Sequence, residues 1–138
     1  MSLFACLIIG DSLAQGISQA AHCPSVNKPG VHTKDFSRQW LAQAYDLQLG
    51  TVVVSLGSND ALLQDITPDL LRLRQSLQSE RVVWVLPVKA HRYDVNVVAA
   101  RFRDQTIDAA QVPIAADGIH PTKQGYALMA RALTSPSF

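Results

Sequence analysis

The chain has 138 residues, of which 48% are hydrophobic and 17% charged, and its 12 Lys and Arg residues against 11 Asp and Glu residues leave a formal net charge of +1. This composition predicts a single globular domain over residues 1–138 and excludes a disordered chain. Because no block of like charge occurs, the sequence offers no electrostatic basis for binding nucleic acid or an anionic membrane.

Apolar runs and helical periodicities alternate along the chain. Runs of adjacent apolar residues predict buried strands, and apolar residues at helical spacing predict amphipathic helices. The sequence predicts strands over 3–9, near Val26, and over 51–56, 81–87 and 112–115. The helices predicted between and after them cover 13–21 and 34–47, begin with Thr67 as a cap, and begin at Pro121. A further helix, between the last two strands, has on one face Val95, Val98, Ala99, Phe102 and Thr106. This alternation predicts right-handed crossovers, and so an α/β fold in which helices cover both faces of a parallel sheet.

Short polar blocks follow three of the predicted strands. They are Gly10-Asp11-Ser12, Gly57-Ser58-Asn59-Asp60 and Ala116-Asp117-Gly118-Ile119-His120. Because the carboxyl ends of parallel strands gather at one edge of a sheet, we expect the three blocks to lie together there. Ser12 at such a turn also fits an ordinary helix N-cap, so the chemical interpretation depends on the other two blocks.

The side chains in these blocks suit nucleophilic catalysis. A serine hydroxyl needs a base within hydrogen-bonding reach, and His120 can supply one to Ser12, while Asp117 can hold the imidazole in one tautomer. Attack on an ester generates an oxyanion, which fixed N–H donors stabilise. The candidate donors are the backbone N–H of Ser12, the side-chain amide of Asn59 and the backbone N–H of Gly30. This set predicts a serine esterase.

The ordered blocks Gly10-Asp11-Ser12-Leu13, Gly57-Ser58-Asn59-Asp60 and Asp117-Gly118-Ile119-His120-Pro121 resemble those of the SGNH, or GDSL, hydrolases. The resemblance spans nearly the whole chain. It implies a three-layer α/β/α fold with a flavodoxin-like parallel sheet of about five strands. It also implies that Ser12 is the nucleophile, His120 the general base and acid, Asp117 the orienting acid, and Ser12, Gly30 and Asn59 the oxyanion hole.

Further residues near the three blocks are candidates for other roles. Asp11, Leu13, His91 and Tyr93 are candidates for substrate contact, because loops at this edge of a sheet often bind ligands. Asp11 and Asp60 also suit a local role in which their carboxylates accept backbone N–H bonds and fix the turns. The remaining histidines, His22 and His32, lack an acid at a suitable short spacing in a strand-end turn.

The two cysteines, Cys6 and Cys23, make neither a disulfide framework nor a metal site, and we expect them to be reduced thiols. The N-terminal apolar run lacks a basic n-region and is too short to span a bilayer, so we expect structure there and a cytoplasmic protein. No clustered metal ligands and no nucleotide-binding glycine motif occur, and no cofactor is expected. The sequence does not determine an oligomeric state.

The predicted reaction is hydrolysis of small acyl esters, acetyl esters first, carried by a small molecule or a carbohydrate. An acyltransferase could use the same residues, and a non-catalytic ligand-binding module could have the same fold. An α/β-hydrolase is disfavoured, because it would place its acid and histidine on separate loops, whereas Asp117 and His120 are three residues apart.

Overall fold

The computed structural model describes residues 6–43 and 50–134. Its strands form one five-stranded sheet in the order β2-β1-β3-β4-β5, and every pairing is parallel. The strands are β1 (Cys6–Gly10), β2 (Ser25–Asn27), β3 (Thr51–Ser55), β4 (Arg81–Leu86) and β5 (Gln105–Asp108). The helices are α1 (Ser12–Ala21), α2 (Thr33–Gln39), α3 (Thr67–Ser76), α4 (Arg92–Arg101) and α5 (Lys123–Leu133). The predicted α/β fold is confirmed, and its strand order is that of flavodoxin-like proteins.

Alternate residues of the central strands point to opposite faces of the sheet, so each face has its own core. Leu7 and Ile9 of β1 pack with the buried residues of α2, α3 and α4, which include Phe36 and Leu70. Between them, Ile8 packs on the other face with the buried residues of α1 and α5, which include Leu13, Ile17, Met129 and Leu133. The result is the predicted three-layer arrangement, with α1 and α5 side by side on one face.

The ends of β1 and β3 lie next to each other at the edge of the sheet where the site forms. Gly10 pairs with Ser55, and the backbone N–H of Asp11 donates to the Ser55 carbonyl at 2.9 Å. A Cβ on Gly10, whose φ is +132°, would overlap that carbonyl, so this close approach requires glycine. The pairing brings the block after β1 beside the block after β3.

The predicted last strand, over 112–115, is wrong. The fifth strand is β5, which pairs with β4 and places Thr106 opposite Trp84. Thr106, predicted on a helical face, therefore lies in a strand, because α4 ends at Arg101 and Arg103 takes a positive φ of 56°. The segment 112–115 contributes only an isolated antiparallel bridge between Ile114 and Pro121.

Three further predicted helix boundaries differ from the structure. Helix α5 begins at Lys123 with Thr122 as its N-cap, and not at Pro121. Helix α3 has Ile66 as its N-cap, and the backbone N–H of Thr67 donates to Asp65 at 3.1 Å, so Thr67 is not the cap. Helix α2 ends at Gln39 and not at the predicted position 47, although 44–49 lie outside the described residues. Residues 3–5 of the predicted first strand are likewise outside them.

The prediction of two reduced thiols is wrong, because Cys6 and Cys23 form a disulfide with a Cα–Cα distance of 5.6 Å. Ile8 of β1 pairs with Ser25 of β2, so the same register, continued by two residues, sets the cysteines opposite each other. Sequence spacing did not indicate this register. No helix within the described residues is both long and apolar enough to cross a membrane.

Candidate active site

Ser12 begins α1 directly after β1, and its side chain is not used to cap the helix. The N-cap is Asp11, whose Oδ1 accepts from the backbone N–H of Leu13 at 3.1 Å. The Ser12 hydroxyl instead lies 2.8 Å from Nε2 of His120. The structure therefore resolves the choice between cap and reactive hydroxyl in favour of a hydroxyl paired with an imidazole.

His120 is held by Asp117 within one tight loop. Nδ1 of His120 lies 2.5 Å from Oδ2 of Asp117, and Oδ1 of Asp117 accepts from the backbone N–H groups of His120 and Ile119 at 2.9 and 2.8 Å. The bonds from the His120 and Ile119 backbone and from the His120 ring lower the pKa of Asp117 to about 2. A carboxylate that remains ionised accepts the Nδ1 proton, which leaves the Nε2 lone pair facing Ser12.

Asn59 lies in the turn after β3, close to the loop that contains Gly30. Its Nδ2 donates to the carbonyl of Val31 at 3.2 Å. Asp60 joins the same two loops, because its carboxylate accepts from the backbone N–H and the hydroxyl of Thr33 at 3.1 and 2.5 Å. Gly30 is exposed, with a φ of +81°. Two of the three predicted oxyanion donors, Gly30 and Asn59, are thus on neighbouring loops that are bonded to each other.

Asp11 and Leu13, predicted as candidates for substrate contact, are both fully buried and cannot touch a substrate. Asp11 joins the turn after β1 to the end of β3, because its Oδ1 also accepts from the hydroxyl of Ser55 at 2.9 Å. Burial raises the pKa of Asp11 to about 6, against the bonds from Ser55 and Leu13 that lower it. Its local role, as an acceptor that fixes the turn, agrees with the alternative prediction for this residue.

His91, also predicted as a candidate for substrate contact, is buried too. Nδ1 lies 2.7 Å from Oδ2 of Asp94, and Nε2 lies 2.7 Å from the carbonyl oxygen of Ala61. Both ring nitrogens are occupied by the protein, so the prediction is wrong. Tyr93 remains a candidate, because it is 79% exposed in the first turn of α4.

Tyr126 of α5 lies near the site, although the sequence indicated no functional role for it. Its ring packs so closely on Gly16 that a Cβ there would overlap it. Burial raises the pKa of Tyr126 to about 12, and the charges of Asp11 and Asp117 add to the shift. The phenol is therefore a neutral group within electrostatic range of the candidate triad. The residue in the sequence that could have indicated this contact is Gly16, which lies one helical turn after Ser12 and leaves room for the ring.

Two depressions flank this region. One, of about 500 Å³, runs between α1 and α5 and is lined by Gly16, Gln19, Ala20, Lys123, Tyr126 and Ala127. The other, of about 200 Å³, is bounded by Ser58, Pro87, Val88, Lys89, Ala90 and Ile119. The second lies between the neighbours of Asn59 and His120. No group of three His, Cys, Asp or Glu side chains within residues 6–43 and 50–134 is arranged to hold a metal ion.

No protein-family model matches the sequence, and no curated protein matches it. Solved structures do match. An acetyl xylan esterase variant from Geobacillus stearothermophilus has a TM-score of 0.70 at 14% identity, covering 92% of this chain and 91% of that one. A protein from Desulfitobacterium hafniense, assigned to the G-D-S-L lipolytic family, has a TM-score of 0.63 at 16% identity, covering 93% and 97%.

The chain has the SGNH-hydrolase fold. A third structure of this fold is the catalytic domain of a peptidoglycan O-acetyltransferase from Streptococcus pneumoniae, with a TM-score of 0.65 at 22% identity, covering 94% of this chain and 89% of that one. Solved SGNH-hydrolase folds thus include proteins named as hydrolases and one named as a transferase, so the reaction has to be argued from the residues at the site.

Proposed function

We propose that this protein is a serine esterase that hydrolyses small acyl esters through a covalent acyl-enzyme. The observation that carries the proposal is the continuous chain of hydrogen bonds from Ser12 through His120 to Asp117. A structural role for these residues does not explain why a serine at a helix start leaves the cap to Asp11 and bonds an imidazole. The side chains of His120 and Asp117 are 40% and 47% exposed, so a substrate can reach the site.

The proposed reaction has two halves. Oγ of Ser12 attacks the ester carbonyl carbon while Nε2 of His120 takes its proton, and the charge of Asp117 stabilises the imidazolium. His120 then gives that proton to the departing alcohol oxygen, which leaves the acyl group on Ser12. In the second half, a water molecule replaces the alcohol, His120 takes its proton, and the carboxylic acid is released as Ser12 regains its hydrogen.

The proposed oxyanion hole consists of the backbone N–H groups of Ser12 and Gly30 and the side chain of Asn59. An amide nitrogen carries two hydrogens, and only one of them is needed for the bond from Asn59 to the Val31 carbonyl. The other is then available to an oxyanion. The bond from Asn59 to Val31 and the bonds from Thr33 to Asp60 hold the two loops together. Gly30 and Asn59 therefore need no rearrangement when charge develops on the substrate oxygen.

A short acyl group, acetyl first, is the proposed substrate preference. The depression of about 200 Å³ beside Ser58 and Ile119 supports it, because its walls include the apolar residues Pro87, Val88 and Ala90. The alcohol is proposed to be a small molecule or a carbohydrate. The acetyl xylan esterase of the same fold supports that class of substrate by analogy alone.

The test is hydrolysis of p-nitrophenyl acetate, butyrate and octanoate by the wild type and by Ser12→Ala. We expect turnover by the wild type that is lost in Ser12→Ala, with the acetate or butyrate preferred. Ser76→Ala, at the end of α3, is the matched control and should keep full activity. Equal rates for the wild type and Ser12→Ala would overturn the proposal.

An acyltransferase is the second candidate, and the exposure of the triad favours it, because an acceptor alcohol could reach the acyl-enzyme as easily as water. Product analysis with a sugar alcohol present separates the two: an acetylated sugar indicates transfer, and acetate alone indicates hydrolysis. A non-catalytic module would instead fail both to turn over esters and to react with a fluorophosphonate at Ser12.

The predicted cytoplasmic location is tested by the state of Cys6 and Cys23 in cells. Disulfides persist in oxidising compartments and are rare in the cytosol. The Cys6–Cys23 disulfide therefore favours an oxidising compartment. Alkylation of free thiols at the moment of lysis decides the matter. Both cysteines should be alkylated in a cytoplasmic protein, and neither in a protein from an oxidising compartment.

A further inference from the structure

His91 lies between two groups that can only accept hydrogen bonds. Its Nε2 faces the carbonyl oxygen of Ala61 and its Nδ1 faces the carboxylate of Asp94, each at 2.7 Å. A neutral imidazole has one N–H, so it could satisfy only one of these partners. With its side chain only 1% exposed, water cannot replace the missing bond. The arrangement therefore requires His91 to be an imidazolium.

The partner of Nε2 lies in the segment that carries Asn59. Ala61 is two residues further along, and the Cβ of His91 is 3.3 Å from the position that a Cβ on Gly57 would take. His91 thus lies beside the start of the turn, and its ring bonds the end of the turn. On the opposite side, Asp60 is bonded to Thr33. The turn from Gly57 to Ala61 is consequently held from two sides, by Thr33 and by His91.

Packing on the core resumes only at Ile66, because Leu62 and Leu63 are 74% and 97% exposed. The Ala61 carbonyl accepts from the backbone N–H of Gln64 at 3.0 Å and from His91. The bond from His91 is the one that joins this end of the turn to the start of α4.

We propose that protonated His91 is a positioning residue that holds the turn bearing Asn59, so that the loss of its proton sets the alkaline limit of ester hydrolysis. The part concerning activity rests on the function proposed above. His91 touches no reacting atom; it acts through Asn59. When neutral, it keeps its one ring proton on Nδ1, which faces the Asp94 carboxylate, the stronger acceptor, and so loses the bond to the Ala61 carbonyl.

The charges around His91 favour the imidazolium. Burial lowers the pKa of His91, but the bonds to Asp94 and to the Ala61 carbonyl, together with the charges of Asp94 and Asp60, outweigh it and raise the pKa above its ordinary value. From α3, the hydroxyl of Thr67 donates to Asp94 at 3.4 Å. Arg92, the next residue in the chain, is paired with Asp108.

The kinetic consequence concerns kcat more than KM. An oxyanion exists only after attack on the carbonyl, so a displaced Asn59 weakens binding of the transition state and leaves ground-state binding nearly unchanged. In a pH profile, activity should fall on the alkaline side as His91 loses its proton.

The experiment measures kcat and KM for p-nitrophenyl acetate against pH, with Ser12→Ala subtracted as the blank for spontaneous hydrolysis. His91→Gln keeps an amide donor and does not titrate, so it should lose the alkaline fall. His22→Asn is the control: His22 has a φ of 57° at the end of α1, a conformation that asparagine accepts, and this variant should keep the fall. A fall that persists in His91→Gln overturns the proposal.

A double-mutant cycle distinguishes positioning of Asn59 from a general loss of structure. His91→Ala alone should lower kcat by about 10-fold or more, up to the roughly 10²- to 10³-fold expected for Asn59→Ala. Added to Asn59→Ala, it should lower kcat no further, because the donor it positions is already absent. A full multiplicative loss in the double variant contradicts the proposal.

Nuclear magnetic resonance makes the test independent of enzyme activity. The two ring nitrogens of His91 should both be protonated at pH 7, and the side-chain amide signal of Asn59 should shift as His91 titrates, but not in His91→Gln. A neutral His91 ring at pH 7, or an Asn59 signal that ignores its titration, overturns the proposal. If these shifts occur while the wild type has no esterase activity, the proposed function fails and the positioning role of His91 stands.

Discussion

The hydroxyl of Ser12 lies 2.8 Å from Nε2 of His120, although 108 positions separate the two residues in the chain. Ser12 is at the first residue of α1, and His120 lies three residues before the first residue of α5. These two helices share one face of the sheet and contribute to one core, so their N-terminal ends are brought to the same edge. Packing of α1 against α5 therefore brings the candidate nucleophile to its candidate base.

Asp117→Asn tests how that base is oriented. Asn can still accept the backbone N–H bonds at Oδ1, but it presents an N–H₂ group to Nδ1 of His120. The ring then favours the tautomer with hydrogen on Nε2, which cannot take a proton from Ser12. We expect kcat to fall between about 10²- and 10⁴-fold, with the melting temperature little changed. Asp35→Asn, on the exposed face of α2, should retain full activity.

The acid side of the pH profile should report a single proton. Because the pKa of Asp117 is about 2, this carboxylate is already ionised throughout the assay range, and the base of the proposed triad is the one group that has to be neutral before attack. The logarithm of kcat/KM should therefore rise with a slope of one as pH increases, and then level off. A slope of two would mean that a second group must lose a proton for catalysis.

Asn59→Ala removes the side-chain donor of the proposed oxyanion hole. We expect kcat to fall roughly 10²- to 10³-fold, because a donor that bonds the developing charge contributes mainly in the transition state. KM should change little. Asn96→Ala, on the exposed surface of α4, is the matched control. Near-normal kcat in Asn59→Ala, measured with the same ester, would exclude Asn59 from the oxyanion hole.

Asp11→Asn should change how stability depends on pH. Burial raises the pKa of Asp11 from 3.8 to about 6, so the folded state binds its proton more tightly than the unfolded state does. The wild type therefore loses stability as pH rises from about 4 to about 6, by on the order of 3 kcal/mol. Asn carries no charge, so this part of the pH dependence should disappear in the variant.

Urea unfolding of the wild type and Asp11→Asn at pH 4 and pH 7 measures that effect. The free energy of unfolding of Asp11→Asn minus that of the wild type should be larger at pH 7 than at pH 4, by on the order of 3 kcal/mol. A difference that is the same at both pH values would show that folding does not raise the pKa of Asp11.

The Cys6–Cys23 disulfide should stabilise the fold. It joins residues with a sequence separation of 17, and the chain-entropy model gives about 3 kcal/mol for a loop of this size. We expect Cys6→Ser/Cys23→Ser to lower the free energy of unfolding by about this amount while keeping esterase activity, since neither cysteine touches the triad. Thiol titration of the unreduced, denatured wild type should find both cysteines blocked; two free thiols would show that the bond is absent.

The sequence by itself determined the fold class and the identity of the candidate triad. Apolar runs such as Val52–Val54 indicate burial locally, and the rule that parallel strands end at one edge brings together the blocks after β1 and β3. The rule does not account for the third block, because 112–115 is not a strand of the sheet. The spacing of Asp117 and His120 is also local, because a three-residue turn is enough to bring a carboxylate to an imidazole. The fold class is confirmed, and Asp117 and His120 lie within hydrogen-bonding distance; their catalytic roles stay a prediction.

Only the tertiary structure decided the pairing of distant segments and the burial of single side chains. β5 replaced the predicted strand over 112–115 because 105–108 can pair with β4, and Cys6 met Cys23 because of the register between β1 and β2. The sequence predicted His91 as a candidate for substrate contact, whereas both of its ring nitrogens face acceptors of the protein. Register and burial depend on partners far away in the chain, and local periodicity carries no information about which partner is reached.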